Sequence, residues 1–105
     1  MPLFCVHGLD HPDADDLRLR HYAAHRAFLK MAADWGVTIA ASGPLMSDDG
    51  ERMIGSLFLV EAECAAAVAS FNAADPFAKA GLWQTLTITR FGLRLGSIGP
   101  AARKA

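Results

Sequence analysis

The sequence is short of the features that name a function outright. It holds two cysteines in 105 residues, Cys5 on an expected strand and Cys64 at an expected helix start. That usage fits small packed thiols in a reducing compartment, although two thiols leave a single bridge open. A basic excess is also missing. Net charge is −1, and Arg90, Arg94, Arg103 and Lys104 are too scattered to form a nucleic-acid patch. No apolar run is long enough to cross a bilayer. The N-terminus lacks the basic and apolar regions of a signal peptide, so a cytoplasmic protein without a membrane partner is expected. Neither a glycine-rich phosphate loop nor a dinucleotide fingerprint is present, and no cofactor is implied.

Apolar residues make up 52% of the chain, enough for one modest core. A single domain is expected over residues 1–92, with a loose tail lacking any period over 93–105. The strongest periodic stretch covers residues 18–35. Leu17, His21, His25, Phe28, Ala32 and Trp35 recur at steps of four and three, which stacks them on one helix face. Gly36 follows as a C-cap, so one uninterrupted helix to Trp35 is expected. Two histidines then lie on the stripe turned to the core, where a buried imidazole needs hydrogen-bond partners. The loop before the helix offers several aspartates as N-caps, and Asp13, Asp15 and Asp16 suit its dipole.

Strands are expected over 2–7, 37–43, 54–60 and 82–91. The second and third should form an antiparallel hairpin around Asp49 and Gly50. An alanine-rich helix over 63–72 turns Val68 and Phe71 inward, Pro76 breaks it, and a short helical turn follows over 78–81. The order strand, helix, strand, strand, helix, strand specifies an α+β, ferredoxin-like βαββαβ fold. Its four-stranded antiparallel sheet carries both helices on one face. Leu57, Phe58, Leu59 and Val60 are apolar in succession, whereas a half-wet strand would alternate. Something should cover the second sheet face, and a homodimer packed sheet to sheet is the simplest cover.

Three segments carry a family resemblance: His25-Arg-Ala-Phe-Leu on the first helix, Ala41-Ser-Gly-Pro after the second strand, and Asp75-Pro-Phe-Ala-Lys-Ala-Gly-Leu before the last. In this order and spacing, over about residues 2–92, the chain resembles the YCII-related (YciI-like) family. The resemblance implies a ferredoxin-like fold of the dimeric α/β barrel group. It also implies a small pocket whose proposed active-site residues fall here on His25 and Asp75. Elimination chemistry, including dehydrochlorination of aromatic substrates, is associated with the family. Many relatives carry an arginine three residues before the histidine. Tyr22 stands there in this chain, and Arg18 and Arg20 lie nearby but are expected at other helix angles, so no arginine anion clamp is expected.

A carboxylate accepting from one imidazole nitrogen fixes the tautomer and leaves the other nitrogen free to move a proton. The same two residues could instead form a structural pair in which Asp75 caps a turn. Ser42, Gly43 and Pro44 are expected to shape the pocket floor, where a small backbone allows close approach, and Phe77 and Trp83 to line it. His21 and His25, one turn apart, could share a metal with His7, His11 or Asp75. Nothing in the spacing demands that third ligand, so no metal is expected. Ser42 lacks a nucleophile-elbow pattern, and Cys5 has no evident activator. The expected function is proton transfer by a His-Asp pair, with elimination or isomerisation of a small cyclic or aromatic molecule. The alternatives are a non-catalytic ligand-binding or stress-related homodimer and a purely structural dimer.

Overall fold

In the computed structural model, which describes residues 1–98, the strands are β1 (Leu3–Asp10), β2 (Thr38–Met46), β3 (Met53–Glu61) and β4 (Trp83–Phe91). The helices are α1 (Asp15–Leu29), α2 (Ala65–Ala73) and the single turn α3 (Pro76–Lys79). The sheet order is β2-β3-β1-β4, and every neighbouring pair is antiparallel. This is the ferredoxin-like α+β fold. Of the tail expected over 93–105, residues 99–105 lie outside the described residues. Among the described residues no helix is long and apolar enough to cross a membrane.

Alternation on β1 sets the two sheet faces. Phe4 and Val6 are buried under the helices, while Leu3, Cys5 and His7, which alternate with them, are only half-buried. Phe58 and Val60 from β3 share the covered face, and Val68 and Phe71 from α2 close over them as expected. A second cluster of Ala14, Phe77 and Leu82 sits where the start of α1 meets α3. That packing explains why α1 is entered through buried Ala14 and not through an aspartate cap. Asp15 and Asp16 instead pair with Arg52 and Arg20.

The single helix expected to reach Trp35 is corrected. α1 stops at Leu29, and Ala32–Trp35 form a separate 3-10 turn. Gly36 ends that turn in the left-handed conformation, φ 73°, so the cap expected at this position is present one element later. The cause is aromatic packing. Two turns of unbroken α-helix would hold Phe28 and Trp35 about 10 Å apart along the axis. With the chain bent, their ring centroids lie 6.0 Å apart, and both reach Phe71 of α2. The turn expected over 78–81 likewise starts earlier, at Pro76, whose fixed φ suits the first helical position. Cys5 and Cys64 are both free thiols.

Candidate functional site

Asp75 is placed by its local sequence. Ahead of Pro76 it must adopt an extended backbone (φ −62°, ψ 134°), which makes it the N-cap of α3. Its Oδ1 accepts from the Phe77 backbone N–H at 2.8 Å. Both carboxylate oxygens lie 2.9 Å from Nδ1 of His25 on α1. An ionised carboxylate only accepts, so Nδ1 carries the hydrogen and donates it to Asp75; the tautomer follows from that partner. Asp75 is 1% exposed and His25 7%. Nε2 has no protein hydrogen-bond partner among the described residues and keeps some solvent contact. His25 lines a cavity of about 440 Å³.

The imidazole is held on its flanks as well. It stacks on Phe77 with centroids 4.0 Å apart and planes 14° from parallel, and Phe58 meets it at 5.9 Å. Trp83 closes the box edge-on to both Phe77 and Phe58. Phe77 and Trp83 were expected to line the pocket, but they do not. They form the wall behind the histidine, because Phe77 is sealed between α1 and α3 at 0% exposure. Ser42, Gly43 and Pro44 do line the cavity, across from His25 on β2. A Cβ on Gly43 would meet nothing within 4 Å, so no close approach inside the chain requires glycine there. His21, expected on the buried stripe, is half-buried, and it does not line the cavity.

Arg18 is the main correction. It was expected at another angle of the helix, yet seven residues is two turns, and it faces the same side as His25. Its Nε and Nη2 donate to Asp10 at 2.8 and 2.9 Å, and Nη2 also donates to Ser56 Oγ at 2.8 Å. The guanidinium lies over the Phe77 ring, 4.8 Å from its centroid. Arg18, Tyr22, Arg26 and Lys30 all line the cavity. Their regular spacing of four along α1 is the signal that marks this wall in the sequence. Ser56, at the foot of the cavity, carries no such signal, because only the pairing of β3 with β1 brings it there.

The YCII-related domain matches residues 2–92 of the chain. Among solved structures the chain is similar to 5-chloro-2-hydroxyhydroquinone dehydrochlorinase from Burkholderia phenoliruptrix, in complex with 2,5-dihydroxybenzoquinone. The two are 34% identical over 86% of this chain and 93% of that one, with a TM-score of 0.75. An antibiotic biosynthesis monooxygenase, 15% identical over 90% of this chain and 100% of its own, has a TM-score of 0.52 and shares the fold alone. No curated protein sequence matches the chain.

Proposed function

The chain belongs to the YCII-related family, and from that premise we propose that it is a small-molecule lyase in which His25 moves a proton and Asp75 orients it. The observation that carries the reading is the His25 ring itself. It is buried, tied through Nδ1 to a sealed carboxylate, and free at Nε2 on a cavity wall. In an elimination, Nε2 takes a proton from the substrate. The electron pair left behind moves into the ring system, and a leaving group departs with its own bonding pair, for net loss of HX. The likeness to a dehydrochlorinase supports a halogenated, hydroxylated ring as substrate. The cavity's apolar sides, from Leu29, Ile39, Pro44 and Phe58, suit such a flat ring.

The test is chloride release from 5-chloro-2-hydroxyhydroquinone. His25→Ala is expected to lower kcat about a hundred- to ten-thousandfold, with the circular dichroism spectrum intact. Chloride release at the wild-type rate in His25→Ala would remove the general base. Binding without turnover in the wild type, unchanged in His25→Gln, would instead make the protein a ligand-binding module.

We also infer that a second copy of the chain covers the open sheet face. Register places Cys5, Leu59 and Ala41 in one row of that face, with His7 and Leu57 in the next. Leu9 and Phe91 extend it at 40% and 38% exposure. A largely apolar strip of this kind suits a self-complementary, two-fold contact.

A further inference from the structure

We propose that Arg18 and Ser56 form a two-donor seat for an ionised ring oxygen, so that the cavity takes its ligand as a phenolate or enolate. The inference rests on the proposed function in that it names the substrate class of the same cavity.

The Ser56 hydroxyl accepts from Arg18 Nη2 at 2.8 Å and from Trp83 Nε1 at 3.3 Å. Two donors occupy both lone pairs, so its own proton must point elsewhere, and no protein acceptor among the described residues receives it. Ser56 is 2% exposed and lines the cavity, which is the direction left. Arg18 is equally buried. Its Nε and Nη2 are fully used by Asp10 and Ser56, while Nη1 has no protein partner among the described residues. Nη1 keeps some solvent contact, and the cavity that Arg18 lines is the space beside it. A buried hydroxyl and a buried guanidinium edge, joined by a hydrogen bond, thus both offer protons to the same space.

Asp10 holds the guanidinium bidentately and Phe77 supports it from below, so the seat is fixed before any ligand arrives. The remaining charged groups on the wall are Arg26 and Lys30, and no carboxylate lines it. A two-donor seat beside Arg26 and Lys30, in a cavity with flat apolar sides and no carboxylate, selects an anionic oxygen on a ring. The same donors serve the reaction. The seated oxygen keeps its charge against the preorganised N–H and O–H groups while Nε2 of His25 removes a proton elsewhere on the substrate. The pair left by that proton passes into the ring and the leaving group departs with its own bonding pair, so no external oxidant or reductant is needed.

The experiment is calorimetric titration with 2,5-dihydroxybenzoquinone, which is ionised at neutral pH, and with its dimethoxy counterpart, which cannot ionise. Both are run in a Cys64→Ser background, so that the quinones find no exposed thiol. The dianion is expected to bind at least about tenfold more tightly than the dimethoxy compound. Ser56→Ala should weaken the dianion roughly ten- to a hundredfold, the range of a hydrogen bond to a charged group, and leave the dimethoxy compound within about twofold. Arg18→Lys, which keeps the charge but loses Nη1, should show the same selective loss. Equal affinity for the two quinones, no binding of either, or an equal loss of both in Ser56→Ala would overturn the seat. Selective loss in Ser56→Ala with no chloride release by the wild type would uphold the seat and reject the elimination. Chloride release with unchanged kcat and KM in Ser56→Ala would do the reverse.

Discussion

The Asp75 carboxylate accepts from the His25 ring and from the Phe77 amide while almost wholly excluded from water. Its loss therefore removes a cap and strands a buried imidazole N–H in the same stroke. Asp75→Ala should destabilise the fold by about 2–4 kcal/mol, read by urea denaturation. A loss within 0.5 kcal/mol would mean that neither bond holds the native state, the ordinary outcome only for surface substitutions. Asp75→Asn retains the cap but offers an amide to Nδ1, so nitrogen NMR of the His25 ring should show a changed tautomer population. The histidine stood out in sequence because its helix stripe is periodic, whereas its pairing with Asp75 was implied by the family resemblance, Pro76 marking only the turn that Asp75 opens. Arg18 was not legible. Its burial depends on Asp10, 8 positions away, and on Ser56, 38 positions away, which meet only after the sheet has formed.

Between elements, two contacts decide more than their size suggests. Arg52, just ahead of β3, reaches Asp15 in the first turn of α1. The Arg52 hydrogen bond holds the Asp15 carboxyl below its ordinary value, as Ser47 does for Asp49 at the hairpin. A carboxyl depressed in the folded state adds stability at pH values above its unfolded value, and that contribution is lost as pH falls through the folded one. Arg52→Gln should therefore lower the melting temperature slightly at neutral pH and leave it unchanged in strong acid. A shift of equal size at both ends would argue against the pair. Both partners are exposed, so salt should shrink the difference. The second contact is backbone to backbone. A Cβ on Gly55 would run into the carbonyl oxygen of Gly8 and the Leu45 side chain. Gly55→Ala should cost about 1–3 kcal/mol, with amide exchange quickening first along β1 and β3. Every strand and both longer helices were legible from period and turn residues. The end of α1 was not, because the rings of Phe28, Trp35 and Phe71 settle it across elements.

For the molecule as a whole, the proposed partner on the open face gives a direct expectation. Light scattering should report twice the 11.2 kDa chain mass, and Leu59→Glu should return a folded monomer. A wild-type monomer at micromolar concentration would reject the two-fold contact. The apolar run in β3 announced that face in the sequence, but a run of leucines says nothing about which surface meets it. The sheet order has a consequence of another kind. β1, the first strand to be synthesised, lies between β3 and β4, and β4 is the last. A nascent chain that has not yet released residues 83–91 holds a central strand with one edge unpaired. The pairings that close the sheet join its two ends, so loop-closure entropy must be overcome before they form. Such a chain should complete its sheet only once β4 has left the ribosome, and its window of exposure to chaperones and to misplaced strand pairing is set by β4.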